Sequence, residues 1–272
     1  MELTDAHLDE LDQRGFIILP GFRHGEELKA MQQAQRCVLP SWDEVKDDPP
    51  PGRAILTEFP PPEMALLRGI VHRQAWDFAR KWFGTEHIHF RAGCMIARYP
   101  GFTGGGTGSD ASALHLDNGN NSLLPPSDSA RAFGQLGFWH HLEAVGEDQA
   151  PLRLIPKEHG RDMSKAVPLV CEAGTLCVFT NYTMHSASDY LRADGQRYTW
   201  GFGLGRADHY WEGFRHYTDK GQNPIFREFI GTLTAAEREV FRFPPASHAY
   251  YTPQTLAALE DQYPGWNARN EY

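Results

Sequence analysis

The chain has few cysteines, no excess of basic residues and no long apolar run, and each of these absences argues against a class of protein. Its four cysteines fall in no CxxC or zinc-ribbon spacing, so neither a zinc module nor a disulfide scaffold is expected. Lys and Arg number 26 against 35 Asp and Glu, and the net charge of −9 provides no general attraction to nucleic acid or anionic lipid. No apolar segment approaches the roughly 20 residues of a membrane helix, and the first residues lack the pattern of a signal peptide. We therefore expect a cytoplasmic protein that acts on a small molecule, without nucleic acid or membrane, and the composition leaves its oligomeric state open.

Short apolar or alternating runs, separated by Gly and Pro, fill the middle of the chain. They span 87–99, 113–117, 134–144, 152–155, 167–170, 175–180 and 197–205. Strands of this length and spacing favour an all-β sandwich or barrel over βαβ units.

Helical patterns flank this β-rich part. Apolar positions at helical spacing predict one helix over 62–83, preceded by an irregular, partly extended, proline-rich segment at 40–63. Near the C-terminus, Thr234 begins a capping-box pattern and Thr252 precedes a proline, which predicts two helix starts. We expect a single domain over 1–272, with a helical part at about 1–85, a β core at about 86–210 and a helical extension at about 211–272.

A histidine and a carboxylate two residues apart, His115 and Asp117, are the strongest chemical signal in the sequence. Side chains at i and i+2 of an extended strand point to the same face, so both can reach one metal ion. Two histidines and one carboxylate form the facial triad of non-haem Fe(II) oxygenases, which leaves the other positions on the iron open. His185, at the end of an apolar strand, is the candidate for the second histidine.

An arginine follows His185 twelve positions later, at the head of another apolar strand. The guanidinium of this residue, Arg197, can form a planar, bidentate contact with a carboxylate. A dicarboxylate co-substrate that binds the metal at one end needs such a contact at its other end.

These residues together resemble the Fe(II)/2-oxoglutarate-dependent dioxygenases, and specifically the phytanoyl-CoA dioxygenase (PhyH-like) family. Further segments resemble that family's GF-apolar-PGF, GPLxxxPGSH and GD…H.S motifs, at 15–22, 150–159 and 173–186. The resemblance extends from about residue 6 to 206. The sequence departs from the family pattern at 157–158, where Lys-Glu replaces Gly-Ser, and at Thr175, which replaces an acidic residue.

The resemblance implies a double-stranded β-helix, or jelly roll, that binds Fe(II), 2-oxoglutarate and O2. It implies that His115, Asp117 and His185 bind the iron and that Arg197 binds the C5 carboxylate of 2-oxoglutarate. Thr199 would add a hydroxyl to the same carboxylate, as the family's Arg-x-Ser/Thr pattern implies. The spacing from His185 to Arg197 is one residue longer than the family's, which leaves Arg192 as a second candidate for this role.

The implied reaction is hydroxylation of an unactivated C–H bond of a small molecule, with release of succinate and CO2. Related halogenases have a small residue in place of the carboxylate ligand, so the presence of Asp117 argues for a reaction without halide. The alternative hypothesis is a non-catalytic or oxoglutarate-independent cupin-like metal-binding protein, for which the pair His87 and His89 offers a second set of ligands.

Other residues keep two interpretations. The adjacent His140 and His141 must point to opposite faces of their strand, so one of them can line a pocket while the other is structural. Trp139 and Trp200 suit a core as well as a substrate surface. The Gly-rich segment 101–108 is either a surface connection or a flap over the site.

Overall fold

A computed structural model of the protein describes residues 2–104, 114–117, 134–208 and 223–272. Within these ranges the strands are β1 (Phe16–Leu19), β2 (Ala54–Glu58), β3 (Ile88–Arg98), β4 (Gln135–His141), β5 (Arg153–Leu154), β6 (Val167–Pro168), β7 (Thr175–Thr180), β8 (His185–Ser186) and β9 (Arg197–Arg206). A six-stranded antiparallel sheet has the order β1-β7-β4-β9-β3-β2, and a smaller sheet has the order β6-β5-β8. The fold is mainly antiparallel β with flanking helices, so the prediction of a jelly-roll core is confirmed.

The sequence of β9 explains how the large sheet separates two environments. Its residues alternate between large apolar side chains and Arg, Thr or Gly, which is the pattern of a strand with two different faces. Tyr198, Trp200, Phe202 and Leu204 point outward into the main hydrophobic core, which they share with the helices. The other face therefore carries Arg197, Thr199 and three glycines into the space between the two sheets.

That inner space has a small apolar cluster of its own. Phe16 and Phe179 of the large sheet pack there with Leu154 of the small sheet. The two sheets are thus joined at one end by apolar side chains, and the indole of Trp139 packs over Gly201, one of the inward-facing glycines of β9.

Helices cover the outer face of the large sheet and both ends of the chain. They are α1 (Asp5–Arg14), α2 (Gly25–Val38), α3 (Trp42–Val45), α4 (Met64–Ile70), α5 (Arg73–Phe83), α6 (Pro224–Gly231), α7 (Ala235–Val240), α8 (Pro253–Gln262) and α9 (Ala268–Glu271). Both predicted caps are present: Thr234 accepts a hydrogen bond from the backbone N–H of Glu237 at 3.3 Å, and Thr252 accepts one from Thr255 at 3.2 Å. No helix within the described ranges is long and apolar enough to cross a bilayer.

One local prediction was wrong, and another was incomplete. The single helix predicted over 62–83 is divided into α4 and α5, because His72 starts a new helix by accepting the N–H of Ala75 on its ring at 3.4 Å. The proline-rich segment contains strand β2, which the sequence did not reveal because its order comes from backbone pairing with β3. Of the Gly-rich segment 101–108, for which a surface connection or a flap is expected, residues 105–108 lie outside the described residues.

Candidate metal centre and co-substrate pocket

Backbone pairing brings the two candidate histidine ligands together. The N–H of His115 donates to the carbonyl of His185 at 3.0 Å, and the N–H of His185 donates back at 3.1 Å. Directly opposed residues of an antiparallel pair point to the same face, so the two imidazole rings lie side by side with centroids 4.3 Å apart. His115 and His185, which lie far apart in the sequence, therefore direct their rings toward one common point.

Asp117 completes this group in the way that the i, i+2 spacing predicts. Its Oδ1 lies 3.9 Å from Nε2 of His115 and 3.5 Å from Nε2 of His185. Ligand atoms that occupy adjacent positions around one metal ion at about 2.1 Å lie about 3 Å apart. Among the described residues this is the group of His, Cys, Asp or Glu side chains that could hold a metal, with all three ligand atoms within 4.8 Å of one another.

The ring of His185 is held in one orientation. Its Nδ1 lies 2.9 Å from the carbonyl oxygen of Thr183, to which the Nδ1–H donates. Nε2 then carries the lone pair toward Asp117, as in metal sites where a second hydrogen bond fixes the tautomer of a ligating histidine. Burial lowers the pKa of His185 and so favours the neutral imidazole that a metal requires.

Arg197 and Thr199 lie together on the inner face of β9. Nη1 of Arg197 donates to Oγ1 of Thr199 at 2.7 Å, and Arg197 is only 7 % exposed. Its Nε–H is buried and has no acceptor, and within the described ranges no carboxylate pairs with the guanidinium. Burial, reinforced by the nearby charge of Arg98, lowers the Arg197 pKa to about 9. A buried cation with open donors is a binding site for an anion.

Two further polar side chains, Arg98 and His141, surround this guanidinium. Arg98 faces Arg197 across the β3–β9 ladder, and its buried Nε–H likewise has no acceptor among the described residues. His141 is fully buried, and neither ring nitrogen has a partner in the described part of the chain. Burial and, secondarily, the charge of Arg197 lower the His141 pKa to about 3, so its ring stays neutral. The pocket thus gathers donors around one place for an anion.

The strand pairing shows which of the two adjacent histidines faces the site, a choice that the sequence left open. His141 pairs with Thr175 and faces inward, whereas His140 faces the helices, where its ring contacts Trp200 at 4.5 Å. Trp200 is a core residue, but Trp139 lines a cavity that Asp117 also borders. The sequence left these pairs undecided, because the alternation of one strand shows that neighbouring residues face opposite sides but not which side faces the site.

The alternative candidates do not join this site. Arg192 is partly exposed, and its Nε lies 3.4 Å from a carboxylate oxygen of Asp194, so it has its own partner in a loop. His87 and His89 lie at the start of β3, and they belong to no group of potential ligands among the described residues.

A jelly roll with two histidines and a carboxylate converging inside it defines the class of cupin-like metal enzymes. The chain belongs to the phytanoyl-CoA dioxygenase (PhyH) family, whose pattern matches residues 11–191. This confirms the resemblance noted in the sequence, and members of the family use Fe(II), 2-oxoglutarate and O2. The matched stretch contains His115, Asp117 and His185 but ends before Arg197 and Thr199. No curated protein matches the chain significantly in sequence.

Solved structures with the same fold include enzymes that catalyse different reactions. HygX from Streptomyces hygroscopicus, with nickel and 2-oxoglutarate bound, is 15% identical, with a TM-score of 0.56 over 79% of this chain and 91% of HygX. SnoK, a non-heme alpha ketoglutarate dependent carbocyclase from nogalamycin biosynthesis, is 14% identical, with a TM-score of 0.55 over 80% of this chain and 90% of SnoK. The epimerase SnoN, in complex with Fe3+, alpha ketoglutarate and nogalamycin RO, is 14% identical, with a TM-score of 0.54 over 75% of this chain and 83% of SnoN. These likenesses establish the fold, and a fold does not choose the reaction.

Proposed function

We propose that this protein is an Fe(II)- and 2-oxoglutarate-dependent oxygenase that hydroxylates an unactivated C–H bond of a small molecule, with release of succinate and CO2. We propose further that residues 1–272 act as one oxygenase domain, because the helices pack on the outer face of the sheet whose inner face carries the site. Family membership supports the cofactors, and the arrangement of this chain's own residues supports the site.

His115, Asp117 and His185 fit a divalent metal, since they offer two imidazole nitrogens and one carboxylate on one side of a common point. The hydrogen bond from His185 to the Thr183 carbonyl keeps Nε2 turned toward that point. Bound Fe(II), together with 2-oxoglutarate and O2, supplies the oxidising chemistry. The contribution of the protein is to hold the reactants in place and to keep water out.

The co-substrate's distal carboxylate fits the pocket formed by Arg197, Thr199 and His141. Arg197 offers a planar pair of N–H donors. Because Oγ1 of Thr199 already accepts from Arg197, the hydroxyl proton of Thr199 remains available to the same carboxylate. A neutral His141 adds one N–H donor, and the nearby Arg98 adds positive potential without occupying the pocket.

The observation that carries this proposal is the buried guanidinium of Arg197, which has no carboxylate partner in the described part of the chain. A purely structural arginine at this depth would be paired, because an isolated buried charge costs several kcal/mol. An oxoglutarate-independent metal protein would have no use for such a cation. The proposal therefore explains a feature that the alternative leaves unexplained.

Anaerobic titration of the protein with Fe(II) and then 2-oxoglutarate tests the proposal. We expect the weak visible charge-transfer band that chelation of 2-oxoglutarate to Fe(II) produces. His115→Ala should abolish this band, whereas His87→Ala, which removes an exposed histidine outside the site, should leave it unchanged. Absence of the band in folded wild-type protein would overturn the proposal. Release of succinate on admission of O2, screened over candidate small molecules, then tests the reaction itself.

A further inference from the structure

A cavity of about 120 Å³ lies directly beside the candidate metal ligand Asp117, on the inner face of the large sheet. An engineered apolar cavity of about 150 Å³ binds one benzene ring, so this space accepts a group of about the size of one ring. The position of Asp117 in its wall places such a group next to the metal. The cavity is open to one side, so that the rest of a larger molecule can extend away from it.

Glycines make one wall of this cavity flat. Gly137 of β4 and Gly201 of β9 lie beneath the indole of Trp139, and a Cβ at either position would come within 2.9 Å of that ring. One face of the indole therefore rests on the sheet backbone, and Trp139 forms part of the cavity wall. Phe179 stacks beside the indole, with centroids 6.2 Å apart at 20°, and fixes its tilt. The result is an aromatic surface suited to a flat group.

Asn181 supplies the polar contact. Its Oδ1 accepts the backbone N–H of Gln135 at 2.8 Å, and this hydrogen bond fixes which way the amide points. Its Nδ2 is buried and has no acceptor among the residues that the structure describes, while the residue as a whole is only 1 % exposed. A buried N–H without an acceptor costs free energy, and an oxygen atom of a ligand in the cavity would remove this cost by accepting a hydrogen bond from Nδ2.

We propose that the substrate enters this cavity with a flat, ring-sized group that carries an oxygen acceptor, such as a carbonyl. Trp139 stacks on the face of the group, and Nδ2 of Asn181 donates to its oxygen. The substrate class is thereby narrowed to small molecules with an oxygenated ring or an equally flat, oxygenated end. This inference rests on the proposed function, which makes Asp117 a ligand of the iron.

Two probes of the same shape test the acceptor: acetophenone, and α-methylstyrene, in which a methylene group replaces the carbonyl oxygen. Their dissociation constants are measured by ligand-observed NMR on the whole protein. One sample is loaded with Zn(II) and 2-oxoglutarate, which form a diamagnetic substitute for the iron complex, and a second sample contains no metal. We expect acetophenone to bind about tenfold more tightly, as one satisfied hydrogen bond implies. Asn181→Asp keeps an oxygen that accepts from Gln135 but replaces the N–H donors with a second acceptor oxygen, which repels a carbonyl oxygen, so the preference for acetophenone should be lost or reversed.

Two further variants test the flat wall and the space. Trp139→Leu should weaken both probes about tenfold, whereas Trp42→Leu, outside the cavity, should leave both unchanged. Gly203→Val should abolish binding of both probes, because Gly203 lines the cavity and the valine side chain would fill part of it. The variant should still fold, since a Cβ at Gly203 meets no atom closer than 3.6 Å.

Equal affinity of the two probes for the wild-type protein, a preference that survives in Asn181→Asp, or no binding of either probe would each overturn the inference. The charge-transfer band with Fe(II) and 2-oxoglutarate separates this outcome from failure of the proposed function. A band without the probe preference refutes only the substrate inference. The probe preference without a band refutes only the assignment as an oxygenase, since the cavity is built from protein groups and is measured without metal as well.

Discussion

Replacement of Arg197 by methionine should have opposite effects on co-substrate affinity and on the stability of the ligand-free protein. The fall of the Arg197 pKa from 12.5 to about 9 corresponds to about 5 kcal/mol at most, at 1.36 kcal/mol for each tenfold change in the acid constant. This is the cost of holding the guanidinium charged in its buried position, and the charged form carries it in full below about pH 9. Replacement of buried charges by apolar side chains of similar size is neutral or stabilising by about 1–4 kcal/mol. We therefore expect Arg197→Met to leave the melting temperature of the ligand-free protein unchanged or to raise it by a few °C.

The same substitution should greatly weaken 2-oxoglutarate binding. Two charge-assisted hydrogen bonds to the distal carboxylate contribute about 1.5–3 kcal/mol each. Their loss corresponds to an increase in the dissociation constant of about 100-fold to 10,000-fold. Arg197→Lys keeps the charge without the planar pair of donors and should lie between wild type and Arg197→Met.

The measurements are thermal unfolding without ligands and anaerobic titration of the Fe(II)-loaded protein with 2-oxoglutarate, followed by the charge-transfer band. A fall in the melting temperature together with unchanged 2-oxoglutarate affinity would refute the reasoning, because it would show that Arg197 has a structural partner. Unchanged values in both measurements would equally refute it, since the buried charge would then have no measurable consequence.

Three smaller predictions follow from neighbouring residues. Thr199→Val removes a hydroxyl donor and should raise the 2-oxoglutarate dissociation constant about tenfold in the same titration; an unchanged value would show that the hydroxyl only orients Arg197. The unfolded chain binds a proton at His141 below about pH 6.5, and the folded chain does so only near pH 3, so the free energy of unfolding should fall as the pH decreases through this range. His141→Phe should flatten that dependence in urea unfolding at a series of pH values, and an unaltered slope would contradict the burial of a neutral ring. Asp117→Asn should weaken Fe(II) binding in calorimetry by at least the roughly 10-fold to 100-fold that loss of an outer partner of a metal ligand costs, without lowering the stability of the metal-free protein. A metal affinity equal to that of wild type would exclude the carboxylate as a ligand.

Short-range regularities of the chain made much of the fold and of the metal centre predictable. The i, i+2 spacing of an extended segment predicts that His115 and Asp117 converge, and they do so although the predicted strand at 113–117 is only an isolated bridge at His115 in the described residues. The alternation in β9 separates Arg197 and Thr199 from the aromatic side chains between them. These inferences need no knowledge of the partner strands. The helix caps at Thr234 and Thr252 were predictable for the same reason, since each depends on residues within one turn.

Features that depend on pairing between distant segments were not predictable. The choice between His140 and His141 as the inward residue, the position of Arg98 opposite Arg197, and the strand within the proline-rich segment all follow from the register of β3 and β4 with their neighbours. The division of the helix predicted at 62–83 was missed although its cause is local, because a histidine cap competes with a continuous apolar pattern.

The sequence by itself determined which chemical groups this protein has, at which spacing, and on which face of each strand they lie, because a strand repeats every two residues. The tertiary structure decided which of those faces meet. It brought His185 to His115 through a backbone bridge, left Arg197 buried without a carboxylate in the described chain, and set the indole of Trp139 over two glycines beside Asp117. The physical reason is that burial and the lack of a partner are properties of packed neighbours, and only the packed sheets determine them.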